Sequence, residues 1–167
     1  MRGWISTTLG EIADIEMGQS PKSEFYNTDG DGLPFLQGNR TFGYKYPHFD
    51  TYTTSITKIA EINDVIMSVR APVGDLNITN KRLCLGRGVC ALRMKNGEYE
   101  FLFYLLKANI TKLLKQEVGT VFGSINGHDI RKLRIVIPEK IDEQRAIASI
   151  LCNLDSKIDL LNRQNKT

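Results

Sequence analysis

The sequence contains few cysteines, no long apolar run and only a small excess of positive charge. Its three cysteines, Cys84, Cys90 and Cys152, are an odd number without the paired spacing of a metal site, so we expect reduced thiols. No run approaches the roughly 18 apolar residues that a membrane span requires. The N-terminus also lacks the apolar core of a signal peptide. These absences predict a cytoplasmic protein that does not enter a membrane.

Motifs of the common cofactor-binding and catalytic classes are also missing from the sequence. There is no Gly-rich turn after a strand that would hold a nucleotide cofactor, and no phosphate loop GxxxxGK. The two histidines, His48 and His128, lie far apart, and the acidic pair Glu61 and Asp64 is typical of surface charges beside a turn. We therefore expect no cofactor, no metal and no catalytic activity.

The composition is typical of one globular domain with an extension. Of the 167 residues, 41% are hydrophobic and 25% are charged, and the net charge of +3 permits nucleic-acid binding without arguing for it. The pattern predicts an α+β fold, with a twisted β-rich domain and packed helices over residues 1–140, followed by a long coiled-coil helix over residues 141–167. Strands are predicted within DVIMSVRAPVGDLNIT, RLCLGRGVCALRM and LRIVIP, and helices within TTLGEIADI and EYEFLFYLLKANITKLLKQ.

The apolar residues of the final segment follow the alternating spacing of a coiled coil. Five of them are separated by 4, 3, 4 and 3 positions, namely Ile147, Leu151, Leu154, Ile158 and Leu161. Asp142 is the expected cap of this helix, and Ile150 widens the stripe where the helix is expected to lean on its own domain. The helix would be roughly 39 Å long. We expect an arm that pairs with another helix, and the alternative is a helix folded back on its domain.

Polar segments between the predicted strands carry the side chain types that bind DNA. Arginine pairs with guanine, asparagine or glutamine pairs with adenine, and cations contact phosphates. The candidate DNA-binding residues are Gln19, Ser20, Lys22, Tyr26, Gln37, Asn39, Arg40, Tyr44, Lys45, Tyr46, His48, Lys81, Arg82, Arg87, Ser124, Asn126 and His128. The cluster QGNRTFGYKY is the strongest candidate for sequence reading, although its first residues also suit an ordinary turn. Arg70 is equally compatible with an internal ion pair and with a phosphate contact.

Four segments, in this order, resemble the specificity subunits of type I restriction-modification systems. They are GWISTTLGEIADIEMGQSP, DVIMSVRAPVGDLNIT, GSINGHDIRKLRIVIP and IPEKIDEQRAIASILCNLDSKIDLL, which together cover nearly the whole chain. The last of them resembles the motif of a strand, a proline, Glu-Gln, Ile-Ala and a later Asp that ends each half of such a subunit. Each motif is loose by itself, but the four in order are specific.

The resemblance implies a target recognition domain that reads one half of a split DNA sequence, with the final helix as a spacer. It also implies that the chain is a non-catalytic subunit that binds a methylation subunit and a restriction subunit. A usual member carries two such domains and two antiparallel helices, whereas this sequence has one of each, so we expect a homodimer through the helix or a fragment of a longer subunit. Two alternatives remain open: a protein-assembly scaffold, and the recognition domain of a DNA methyltransferase.

Overall fold

The computed structural model describes residues 3–115 and 123–165 of the chain. Within these residues it has a mixed α+β fold with a long C-terminal helix, as the sequence predicts. The strands are β1 (Trp4–Thr8), β2 (Ala13–Met17), β3 (Tyr26–Asn27), β4 (Leu33–Leu36), β5 (Tyr52–Thr53), β6 (Ile59–Ala60), β7 (Val65–Ser68), β8 (Leu76–Ile78), β9 (Leu83–Leu85), β10 (Val89–Met94) and β11 (Arg134–Pro138). The helices are α1 (Leu9–Ile12), α2 (Tyr99–Lys115), α3 (Gly127–Lys132) and α4 (Ile141–Gln164).

Two sheets form the body of the domain. The first has the order β2-β10-β7-β8 and is antiparallel throughout. The second has the order β3-β5-β4-β9-β6, and its β4–β9 pair is parallel. Both faces of β7 are buried, which explains why its sequence is a continuous apolar run rather than an alternating one. Helix α2 packs its apolar residues, including Leu102 and Leu106, into the larger of two hydrophobic clusters.

A separate two-stranded sheet joins the two ends of the domain. β1 pairs with β11 in antiparallel register, from Trp4 opposite Pro138 to Thr8 opposite Arg134. The Glu139 N–H also donates to the Gly3 carbonyl at 2.9 Å. The sequence predicts α1 correctly, and its N-cap is Thr8. β1 is not predicted, because its pairing partner lies some 130 residues away.

Helix α4 begins at Ile141, and its first three turns are attached to the domain. Lys140 is the N-cap residue and Asp142 lies exposed in the first turn, so the prediction that Asp142 caps the helix is wrong. The buried Gln144 instead secures this end, because its amide donates to the Pro138 carbonyl at 2.9 Å and accepts from Asn96 at 3.0 Å. The chain beyond residue 165, where the helix is predicted to continue, lies outside the described residues.

The predicted coiled-coil stripe divides between two environments. Ile147 and Leu151 are half-buried against the domain core. Leu154, Ile158 and Leu161 are 51%, 48% and 57% exposed. Ile150 is 61% exposed, so the prediction that it leans on the domain is wrong. The helix therefore presents an apolar seam of Ile150, Leu154, Ile158 and Leu161, about a quarter turn from the face that the domain covers.

Candidate DNA interface

Three loops meet at one end of the two sheets, and we call their residues 18–20, 37–40 and 86–88 the three-loop surface. Backbone hydrogen bonds connect them: the Gln19 N–H donates to Leu85 O at 3.0 Å, and the Gly88 N–H donates to Gln37 O at 3.0 Å. Two of these loops extend directly from β2 and β4, and the third joins β9 to β10. Strand ends of both sheets therefore fix the position of this surface.

Glycines allow the three loops to approach this closely. A Cβ atom at Gly18 would overlap with the Gly86 carbonyl oxygen, and one at Gly88 would overlap with the Gln37 carbonyl oxygen. A Cβ at Gly86 would lie 2.7 Å from the Gln37 Cα. Since each conflict involves backbone rather than a flexible side chain, a larger residue would force the loops apart.

Replacing Gly88 with alanine is expected to destabilise the domain by about 1–3 kcal/mol, as overpacked backbone contacts do. The measurement is urea unfolding of the purified chain followed by circular dichroism. Gly38→Ala is the matched control, because Gly38 lies in the same surface and a Cβ there has no atom within 4 Å. Equal unfolding midpoints for the two variants would contradict the steric role of Gly88.

A short hydrogen-bond chain orders the polar groups of the three-loop surface. The Arg87 N–H donates to Ser20 Oγ at 3.0 Å, and the Ser20 hydroxyl donates to Gln37 Oε1 at 2.9 Å. The Nε2 of Gln37 has no hydrogen-bond partner within residues 3–115 and 123–165. Gln37 and Arg87 are both exposed. The structure thus brings together four of the predicted residues, Gln19, Ser20, Gln37 and Arg87, with an amide and a guanidinium facing solvent.

Two arginines, one within this surface and one beside it, have no acidic partner among the described residues. Arg87 lies between the buried Gly86 and Gly88, and neither it nor the exposed Arg70 forms an ion pair in the part of the chain that the structure describes. Arg70 is held next to the predicted residue Ser124 by a β-bridge. The sequence leaves the role of Arg70 open, and the structure removes the ion-pair interpretation for the described residues. In the sequence, the signal that marked Arg70 was its position close after the apolar strand β7.

Asn39 and Arg40 complete the surface but are already engaged by carboxylates. Asn39 Nδ2 donates to Asp75 Oδ2 at 2.6 Å, and Arg40 Nη2 donates to Asp50 Oδ1 at 2.8 Å. The hydrogen bond to Asp50 raises the pKa of Arg40, and the same bond lowers the pKa of Asp50. The Arg40 side chain remains 72% exposed. A ligand contact by Arg40 would therefore compete with Asp50, whereas contacts by Arg70 or Arg87 would compete with no carboxylate in the described part of the chain.

The second half of the predicted reading cluster faces α2 and α4 rather than the three-loop surface. Lys45 Nζ donates to Cys152 Sγ at 2.8 Å, lies 3.4 Å from Glu100 Oε1, and its side chain is only 14% exposed. Burial lowers the pKa of Lys45, but the Cys152 hydrogen bond and the Glu100 charge outweigh it and raise the pKa overall. Because its charged ammonium is enclosed by these contacts, Lys45 is not among the proposed DNA contacts.

The remaining predicted residues lie away from the three-loop surface or serve the fold. Lys81 and Arg82 are exposed at the opposite end of β9, where Arg82 pairs with Glu61 at 3.2 Å. Tyr26 packs on Phe35 with ring centroids 4.6 Å apart. The side chain of Asn126 caps α3, accepting from the N–H groups of His128 and Asp129. The other three predicted residues are exposed on loops, namely Lys22, Tyr46 and His48.

The described residues contain no group of three His, Cys, Asp or Glu side chains placed to hold a metal ion. No helix within these residues has both the length and the apolar character that crossing a membrane requires. The three cysteines are free, and burial raises the pKa of Cys90 to about 12, which keeps that thiol protonated.

The fold defines the class of protein. The crystal structure of the HsdS subunit from Thermoanaerobacter tengcongensis matches with a TM-score of 0.84 and 38% sequence identity, over 98% of this chain and 40% of that one. A chain from a structural study of complex assembly and conformational transition of the type I R-M system gives a TM-score of 0.86 at 38% identity, over 98% and 41%. The fold is that of specificity subunits of type I restriction-modification systems.

The family model of the type I restriction modification DNA specificity domain matches residues 1–167, and this chain belongs to that family. The resemblance seen in the sequence is thereby confirmed. A protein of Methanocaldococcus jannaschii, provisionally named the type I restriction enzyme MjaX specificity subunit, is 38% identical over 167 residues. That alignment covers 98% of this chain and 39% of the relative. The chain thus spans about two-fifths of the length of the relatives described.

Proposed function

We propose that this chain is a non-catalytic DNA-recognition module that reads one half of a bipartite target in double-stranded DNA. The observation that carries the proposal is the three-loop surface, where Gln37 and Arg87 face solvent beside Arg70, and neither arginine forms an ion pair with a residue that the structure describes. Guanidinium and amide groups are the ones that make paired hydrogen bonds to guanine and adenine in the major groove. The proposed contacts are Gln19, Ser20, Gln37, Asn39, Arg40, Arg70, Arg87 and Ser124.

In this proposal, residues 1–140 recognise DNA and residues 141–167 set the distance between two half-sites. The apolar seam of α4 supports this division, because an exposed row of Ile150, Leu154, Ile158 and Leu161 should be covered by another helix. A helix of fixed rise would then set the distance between two half-sites. In a symmetric homodimer those half-sites would be inverted repeats.

The proposed partners are a methylation subunit and a restriction subunit of the same system, with catalysis supplied by them. Family membership supports this proposal, as does the similarity to a chain studied in the complex assembly of a type I R-M system. A scaffold without DNA binding would account for the seam of α4 but would not explain the two exposed arginines, which form no ion pair among the described residues. The recognition domain of a DNA methyltransferase would have the same three-loop surface. It would differ only in being joined to a methyltransferase.

Selection from a pool of random duplexes by the purified chain tests the proposal. The expected result is one short enriched sequence, present once for a monomer and as an inverted pair for a dimer. Recovery of no sequence at any salt concentration would favour the scaffold. Methyl transfer or DNA cleavage by the isolated chain would contradict the non-catalytic role.

Arg40→Ala and Lys81→Ala are expected to differ in kind when tested on the selected duplex. Arg40 lies on the three-loop surface, so its loss should reduce affinity for the selected sequence by roughly tenfold to a hundredfold and relax the preference at one position. Lys81 lies at the opposite end of β9, outside the proposed contacts, so its loss should leave the affinity and the sequence preference close to those of the wild-type chain. Fluorescence anisotropy at several salt concentrations distinguishes them. Unchanged preference in Arg40→Ala would exclude base reading by Arg40.

A further inference from the structure

One continuous segment connects the three-loop surface to helix α4, and we call residues 37–48 the bridging segment. Its first residues, Gln37 to Arg40, belong to the three-loop surface, and its later residues, Tyr44 to Tyr46, face the helices. The His48 N–H donates to the carbonyl of the buried Thr41 at 3.0 Å, and the Phe42 N–H donates to Asn39 O at 3.0 Å. The segment is therefore a closed loop with two ends in different surroundings.

The middle of the bridging segment is attached to β8 by a buried side chain. Asn77, which is 1% exposed, accepts from the Gly43 N–H at 3.0 Å and donates from Nδ2 to the Gly43 carbonyl at 3.0 Å. The Ile78 N–H donates to Lys45 O at 2.8 Å. These bonds hold the backbone of the segment, but they do not involve α4.

Contacts from two neighbouring side chains then tie the segment to α4. The Tyr44 hydroxyl donates to Asp155 Oδ1 at 3.3 Å. Lys45 donates to Cys152 Sγ, and the Cys152 thiol donates in turn to Glu100 Oε1 of α2 at 3.1 Å. Residues 44 and 45 thus contact two positions of α4 that are three residues apart, on the face that the domain covers.

Asp155 is the point where these contacts converge. Its second oxygen, Oδ2, accepts from the buried Tyr104 hydroxyl at 2.9 Å, and Lys107 Nζ lies 3.7 Å away. Lys107 also lies over the Tyr44 ring, 5.9 Å from its centroid. The Asp155 side chain is only 17% exposed. A single, largely covered carboxylate therefore joins the bridging segment, α2 and α4, with the half-exposed Tyr44 on its solvent side.

We propose that Asp155 is a positioning residue for DNA reading, which through Tyr44 sets the bridging segment, and with it Gln37 and Arg40, relative to α4. The proposal rests on the proposed function, since it concerns the orientation of residues that would contact bases. It assigns to α4 a role in reading each half-site as well as in spacing the two. The bridging segment would carry any shift of the helix to the three-loop surface.

The test compares Asp155→Ala with Asp159→Ala in the full chain. Asp159 lies one turn further along α4, where it pairs with Arg163 at 2.7 Å, and it forms no hydrogen bond with the bridging segment. Alanine favours helix at both positions, so α4 itself is preserved. The first measurement is hydrogen exchange of the Gly43 and His48 amides without DNA. The second is the ratio of affinities for the selected duplex and for random duplex.

The expected result is roughly threefold to tenfold faster exchange at Gly43 and His48 in Asp155→Ala, with a loss of discrimination of similar size, as expected for one ordinary hydrogen bond. The affinity of Asp155→Ala for random duplex should equal that of the wild-type chain. In Asp159→Ala, both the amide exchange rates and the discrimination between duplexes should stay at the wild-type values. Tyr44→Phe should add no further loss in the Asp155→Ala background, because both changes break the same contact. An additive loss would mean that Tyr44 contacts DNA directly and would overturn the proposal.

The outcomes separate this proposal from the one on which it rests. Unchanged exchange in Asp155→Ala would show that the contacts of Asn77, Ile78 and Cys152 hold the segment without Asp155. Faster exchange with full discrimination would show that the contact is structural only. Either result overturns the positioning role. Absence of any sequence preference in the wild-type chain would instead refute the proposed function itself.

Discussion

Replacing Arg70 and Arg87 together with glutamine is expected to reduce affinity for the selected duplex at least roughly thirtyfold and to lower the salt slope by about 2. Both guanidiniums are exposed beside the three-loop surface, and neither has an acidic partner among residues 3–115 and 123–165. Within the described residues no ion pair has to break before either guanidinium binds DNA, so the variant should lose the interaction in full. Fluorescence anisotropy over a series of salt concentrations measures both quantities.

A control variant that loses the same number of positive charges elsewhere distinguishes binding at this site from a general effect of net charge. Lys132 and Arg134 are exposed, and Arg134 lies opposite Thr8 on the β1–β11 sheet, away from the end of β2 that reaches Gly18. The Lys132→Gln, Arg134→Gln double variant removes the same two charges and should retain most of the affinity. If both double variants weaken binding equally, the three-loop surface is not the contact site.

Placing glutamate at Leu154 and Ile158 is expected to convert a helix-paired dimer into a monomer. These side chains are about half exposed in the single chain, so pairing would gain about half of the roughly 1.5–3 kcal/mol of full burial for each. Four substituted side chains per dimer then correspond to a rise in the dissociation constant of roughly a hundredfold to ten-thousandfold. Sedimentation equilibrium over a range of protein concentrations gives the constant directly.

Leu160→Glu is the matched control for the seam. Leu160 is 57% exposed on the same helix but lies roughly 160° around the axis from Ile158. Its substitution should leave the dissociation constant within about threefold of wild type. A wild-type chain that remains monomeric at all concentrations would rule out homodimerisation, and the seam would then be available to a different helix.

The elements that the sequence predicts are those whose apolar pattern is local. The mostly apolar runs in β7 and β10 and the helical spacing in α2 each identify an element without reference to its neighbours. β1 and the parallel β4–β9 pair depend on partners far along the chain, and no spacing within them reveals those partners. Local periodicity thus determines the elements, while long-range pairing determines where the loops meet.

The same distinction explains what the sequence could and could not predict about the site. Residue type identifies Gln37 and Arg87 as candidates, but their proximity depends on glycine contacts between three loops. The second half of QGNRTFGYKY faces the helices through contacts with residues far along the chain, such as that of Tyr44 with Asp155, 111 residues further on. The interpretation of Asp64 as a surface charge is wrong, because it is 2% exposed and accepts two hydrogen bonds from Arg93 at 2.8 and 2.7 Å. The sequence signal for this ion pair was Arg93, a lone arginine in the otherwise buried strand β10.

The closure of β1 on β11 has a consequence for evolution. Because residue 3 and residue 139 are hydrogen-bonded neighbours, the chain enters and leaves the β-rich body at the same place. Gene duplication could therefore repeat the whole unit in tandem without opening its core, and recombination between copies could exchange one body for another. New target preferences would then be acquired by shuffling intact units rather than by gradual redesign of a single one.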